Sequence, residues 1–67
     1  MTQTQRVIET LTTAAFPLTQ AAIANITGDP APSIRRVIQT LEKDGTVEQY
    51  GWRGNRPEFR IKAVIDN

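Results

Sequence analysis

Apolar residues recur along this chain with two different periods, and the change from one to the other falls at Gly45. In "TQTQRVIETLTTAA", Val7, Ile8, Leu11 and Ala15 fall on one helical stripe with polar residues between them. Thr2, followed three residues later by Gln5, has the spacing of a capping box. Pro17 has no N–H to donate and pushes Phe16 out of helical geometry, so a first helix is predicted over about residues 3–15. In "LTQAAIANITG", Thr19 is the N-cap, Ala22, Ile23 and Ile26 are the apolar positions, and Gly28 supplies a left-handed end; this predicts a second helix over about 20–27. "GDPAP" interrupts the helical pattern, and Pro32 suits the first residue of a third helix, about 32–44. There Ile34, Val37, Ile38 and Leu41 stand at i, i+3, i+4 and i+7, and Gly45 ends the run. Ser33, Arg36, Gln39, Thr40 and Lys43 lie on the opposite side of this helix, with Arg35 on its flank.

After Gly45 the period becomes two, in "TVEQY" and again in "EFRIKAV". Val47, Phe59 and Ile61 then face inward, and Glu48, Glu58, Arg60 and Lys62 face outward. The connection between the runs is "GWRGNRP", which predicts a hairpin over 46–63 whose loop is longer than a two-residue turn, with Gly51, Gly54 and Asn55 supplying its backbone angles. The final "IDN" is expected to fray. The predicted class is α+β, with three helices followed by a two-stranded hairpin in one domain spanning 1–67.

Composition narrows what such a chain does. At 67 residues it buries a small core. It has no cysteine and no histidine, so disulfides, thiolate zinc sites and histidine catalysis are excluded. It also lacks a glycine-rich phosphate loop and a carboxylate pair in an evident cleft. No catalytic activity and no cofactor are therefore expected. No apolar run approaches a membrane span, and the N-terminus lacks the pattern of a signal peptide, which points to a soluble, cytoplasmic protein. The net charge of +1 is less informative than its distribution. Up to Gly28 there is one arginine and one glutamate. Arg35, Arg36, Lys43, Arg53, Arg56, Arg60 and Lys62 all follow, interspersed with acids, so cations sit at particular places in a structured segment.

The segment "LTQAAIANITGDPAPSIRRVIQTLEKDGTVEQ" resembles the winged helix-turn-helix domains of bacterial and phage transcription regulators, and the resemblance runs from about Val7 to Lys62. A leucine and threonine open the second helix, a glycine marks the turn, a proline and serine start the third helix, and a leucine–acid–glycine–hydrophobic exit leads into the wing. Ala24 matches the small residue where the second and third helices cross, Gly28 the turn glycine, and Ile34 and Val37 buried positions of the recognition helix. Ser33, Arg35, Arg36 and Gln39 match positions that usually face DNA. Two residues depart from the pattern, with Asp29 and Thr27 standing where apolar residues are common. The length, "LEKDGTVEQ" and the basic wing are also similar to fimbrial phase-variation regulators of the PapI type. The resemblance implies a sequence-specific regulator whose partner is double-stranded DNA.

The residues offer the chemistry for that role. A helix presenting Ser33, Arg36 and Gln39 fits a major groove, where arginine pairs with guanine and glutamine with adenine. Its N-terminus favours anions. Arg53 and Arg56, with Gly54 and Asn55 between them, suit a wing tip at a narrow minor groove or a backbone. Arg60 and Lys62 suit phosphates. Lys43 is set aside because Glu42 and Asp44 flank it. Trp52 has three readings, in this order: a cover over Tyr50 or the core, a stack with Arg53 or Arg60, or an exposed anchor for DNA or a partner. One such domain contacts one half-site, so a second copy or a partner protein on DNA is expected. The near-neutral charge keeps a rival open, a winged-helix interaction module acting as an anti-repressor or as a subunit of a replication or recombination complex.

Overall fold

A computed structural model describes residues 2–62; the expectations for residues 63–67 lie outside them. Helix α1, Gln3–Thr13, opens with the expected capping box: the Thr2 hydroxyl accepts from the Gln5 N–H, and the Gln5 side chain accepts from the Thr2 N–H, both at 3.1 Å. It ends two residues earlier than the sequence predicts. Ala14 takes an extended conformation, and Ala15 and Phe16 stand exposed beyond the helix. Helix α2, Gln20–Thr27, is capped by the Thr19 hydroxyl, and Gly28 follows it with φ of 78°. Helix α3, Ala31–Asp44, starts one residue before Pro32, because Pro30 is the N-cap and its carbonyl accepts from Ser33 and Ile34. Pro32 remains in the first turn, where its missing N–H has no intrahelical partner to lose. At the other end Gly45 has φ of 86°, and Thr46 donates back to the Leu41 carbonyl, a bond that turns the chain sharply into the sheet.

That sheet has three strands rather than two. Strand β1, Leu18–Thr19, lies beside β3, Arg56–Ile61, which in turn pairs with β2, Val47–Arg53; both pairings are antiparallel. Two residues are too few to show alternation, so β1 has no periodic signal in the sequence. Leu18 pairs with Phe59 and Thr19 with Glu58, which ties the segment leading into α2 to the base of the hairpin.

The hairpin loop is also shorter than expected. Strands β2 and β3 continue through Arg53 and Arg56, leaving only Gly54 and Asn55 as the turn. Gly54 has a φ of 64° and Asn55 does not have positive φ, the sign pattern of a type II′ turn with glycine first. The irregularity that "GWRGNRP" suggested is a bulge instead: the register shifts between Gln49 and Gly51, and Tyr50 is the extra residue.

Val7 and Leu11 of α1, Ile23 of α2, Ile34, Ile38 and Leu41 of α3, Val47 of β2 and Phe59 of β3 form one buried cluster. Ile8, Leu18, Ala24, Val37 and Ile61 pack around it. Ile26 departs from the expected apolar face of α2. It lies 62% exposed, because Ile23 and Ala24 take the positions turned to the other helices. No helix among the described residues is long and apolar enough to cross a membrane.

Candidate nucleic-acid interface

The burial of Ile34, Ile38 and Leu41 fixes which side of α3 is left outside. Arg35, Arg36 and Gln39 are exposed on that side, and Ser33 is half-buried in the first turn. Among the described residues the three exposed side chains make no ion pair or hydrogen bond with another residue. The one bond to Arg36 uses its backbone carbonyl, which accepts from the Thr40 hydroxyl at 3.0 Å. Both guanidiniums and the amide are thus available to an outside partner.

Gln20, which the sequence pattern does not single out, joins this surface to the rest of the fold. Its Nε2 donates to the Ala31 carbonyl at 3.1 Å, linking the first residue of α2 to the first of α3. Gln20 also borders a groove with Arg35, Gln39, Pro57 and Phe59, and another with Arg36 and Pro32. Arg56 and Pro57 meet Gln20, Ala21 and Ala31 along a third edge. The outer face of α3, the start of α2 and the near side of the wing therefore form one continuous surface.

The wing cations divide into two groups. Arg53 Nε donates to Glu58 Oε2 at 3.1 Å, and Arg60 Nε donates to Glu48 Oε2 at 2.7 Å. The Arg60 guanidinium also lies 3.7 Å from the centre of the Tyr50 ring, a cation–π contact that keeps it flat on the sheet. Arg56 makes no ion pair among the described residues and, like Asn55, is exposed at the turn. Trp52 is 63% exposed, so it does not serve as a cover for the core, and Arg60 stacks on Tyr50 rather than on it.

The model of the IclR helix-turn-helix domain matches residues 4–51, which include all three helices and most of β2. The chain belongs to the IclR helix-turn-helix family. Membership in this family makes it a DNA-binding domain of the transcription-regulator class. No curated protein matches it. Among solved structures, this IclR-type domain is similar to the PcaV transcriptional regulator of Streptomyces coelicolor, with 19% identity over 92% of this chain and 45% of that one and a TM-score of 0.83. It is also similar to MepR of S. aureus in a DNA complex, with 20% identity over 92% of this chain and 53% of that one and a TM-score of 0.75. The chain thus spans about half the length of these regulators. A third similar structure, human N-acetylserotonin methyltransferase, has 18% identity over 88% of this chain and only 19% of that one, with a TM-score of 0.69. The shared fold therefore occurs outside regulators as well, and what this IclR-type domain can contact depends on its own side chains.

One of those side chains is Asp29, a departure from the helix-turn-helix pattern. Arg6 of α1 reaches it with two bonds, Nη2 to Oδ1 at 2.9 Å and Nε to Oδ2 at 3.2 Å. The Asp29 N–H meanwhile donates to the Thr27 hydroxyl at 3.3 Å. An ionic clamp thus holds the turn between α2 and α3 where an apolar residue is usual, and Thr27, the second departure, supports it. The Arg6 hydrogen bonds hold the Asp29 carboxyl below its ordinary range, against a smaller desolvation effect, and raise Arg6. Asp44 is likewise lowered by hydrogen bonding from Thr46 at the end of α3. No cluster of metal-ligating side chains occurs among the described residues.

Proposed function

We propose that this chain recognises a specific sequence in double-stranded DNA and thereby regulates transcription, with α3 in the major groove and the wing at the flanking minor groove or backbone. The observation that carries the reading is the state of the cations. Arg35, Arg36 and Arg56 are exposed and make no ion pair among the described residues, and all three border the surface that Gln20 links together. Arg35, Arg36 and Gln39 are the base readers, with Ser33 at the start of α3 bonding to phosphate or a base edge. Arg56 and Asn55 approach DNA at the wing tip. Arg53 and Arg60, held by Glu58 and Glu48, add charge near phosphates without reading bases. MepR, of similar fold, has been solved bound to DNA, which supports the DNA-binding reading. A single copy covers one half-site, so two copies, or one copy and a partner protein, occupy the full operator. The domain requires no cofactor and performs no catalysis in this role.

Binding to a labelled duplex at a series of salt concentrations tests this reading. The affinity is expected to fall steeply with salt, because each phosphate neutralised releases counterions. Affinity that does not change with salt, or no binding to any duplex, contradicts it and favours a protein-interaction module.

A further inference from the structure

We infer that Trp52 is itself a DNA-contacting residue, its indole packing against the deoxyribose wall of the groove that the wing tip enters beside Arg56. This inference rests on the DNA-binding reading above and extends it to an apolar contact.

Strand register fixes the side on which the indole lies. Trp52 stands directly opposite Pro57, so the two side chains share one face of the hairpin. Pro57 borders the groove that contains Gln20, Arg35, Gln39 and Glu42, so this is the face turned towards α3. Phe59 and Val47 lie on the same face and are buried. Tyr50, Arg60, Glu48 and Glu58 are engaged with one another or with Arg53 on the reverse side. Trp52 is thus the apolar residue of the inner face that the core does not reach. Strand β1 ends opposite Glu58, before Pro57, so among the described residues no strand accompanies that edge of the hairpin out to its tip. Keeping the largest apolar side chain 63% exposed there forgoes the stabilisation its burial brings.

Charge selects the occupant. Both acids of the hairpin, Glu48 and Glu58, are paired with arginines on the reverse face, so the inner face around Trp52 carries none. Arg35 and Glu42 border the groove beside Pro57, and Arg56, at the edge of the reverse face, borders a second groove with Pro57; neither arginine makes an ion pair among the described residues. An exposed apolar ring on an acid-free hairpin face, with Arg53 and Arg56 at the same tip, matches a surface that alternates sugar and phosphate, and apolar side chains that enter minor grooves make this kind of contact. A partner protein needs an acidic rim around an apolar centre to match the same surface.

The chain contains one tryptophan, so indole emission reports on this position alone. The test uses the full chain and a fluorescein-labelled duplex recovered by selection from a random pool, and reads DNA anisotropy and indole emission in the same titration. We expect the two signals to change with one midpoint. Trp52→Ala is expected to weaken binding about tenfold, on the order of one aromatic contact, with Trp52→Phe recovering most of the loss. Phe16→Ala, which removes an equally exposed aromatic from the α1 side, is expected to bind within about twofold of the parent. Circular dichroism melts of each variant show whether it is folded. If anisotropy saturates while indole emission is unchanged and Trp52→Ala binds like the parent, the inference is overturned and the DNA-binding reading stands. If anisotropy does not rise with the parent chain, the DNA-binding reading fails and the contact fails with it. Self-association that depends on Trp52 and is abolished by duplex also supports the contact, whereas self-association that duplex does not affect overturns it.

Discussion

Arg6 on the first helix and Asp29 in the turn before the third helix are 23 residues apart in sequence and joined by two hydrogen bonds, the shorter 2.9 Å. Arg6 is about one-third exposed and Asp29 is mostly covered, so the pair lies at the edge of the core. The turn sets the angle at which α3 leaves α2, and the clamp therefore fixes the direction of the surface that carries Arg35, Arg36 and Gln39.

A pH dependence follows from the direction of the Asp29 shift. Its folded-state pKa lies below that of the unfolded chain, so its contribution to stability is present in full above the ordinary aspartate range and is lost as pH falls through the folded-state value. Asp44, shifted in the same direction, adds to the loss. Thermal melts of the parent and of Asp29→Asn are expected to differ most near neutral pH and to converge in acid below the ordinary aspartate pKa. A difference in melting temperature that stays constant into acid contradicts the clamp.

Ile38 is 2% exposed at the centre of the cluster. Ile38→Ala is expected to cost about 2–5 kcal/mol from lost burial and the cavity left behind. A chain of this size has a total stability on the order of 3–10 kcal/mol at the usual per-residue values. The variant is therefore expected to be largely unfolded at physiological temperature or close to it, measurable by urea denaturation.

Gly54 and Gly51 make a matched pair in the wing. Gly54 has a φ of 64°, and Gly54→Ala is expected to destabilise the turn by about 1–2 kcal/mol. Gly51 has no positive φ, and an added methyl there meets nothing nearer than Glu58 Oε1 at 3.9 Å, so Gly51→Ala is expected to change stability by less than about 0.5 kcal/mol. Chemical denaturation of the two variants side by side measures the contrast.

Glu58 is mostly covered and holds Arg53, which is 71% exposed. Glu58→Gln removes the negative charge beneath that arginine and is expected to tighten DNA binding severalfold while steepening its salt dependence. Arg56→Ala, which removes a cation without an ion pair among the described residues, is expected to weaken binding and to reduce the salt slope by about one. Both follow from anisotropy titrations at several salt concentrations.

The helices were legible in the sequence because local chemistry encodes them: Thr2 with Gln5, Thr19, Gly28 and Gly45 each perform the capping role their type favours. The alternation that placed Val47 and Phe59 inward was equally local. What escaped depends on pairing between distant residues. Strand β1 exists only through its register with Phe59 and Glu58. The bulge at Tyr50 appears only when β2 is laid beside β3, and it accounts for the glycine that made the hairpin loop look long. For the candidate site, the sequence assigned the arginines of α3 and of the wing to different parts of the duplex without separating paired cations from unpaired ones. It gave no sign that Glu48 and Glu58 engage two of them, or that Gln20 connects α2 to the surface of α3.

Selection of bound sequences from a random DNA pool with the parent chain, Arg35→Ala, Arg36→Ala and Arg56→Ala shows whether α3 reads bases while the wing anchors the duplex. The expected result is a defined motif for the parent, a changed or relaxed motif for at least one of the two α3 variants, and an unchanged motif with weaker binding for Arg56→Ala. No enrichment with the parent chain, or the same motif from all four proteins, contradicts it.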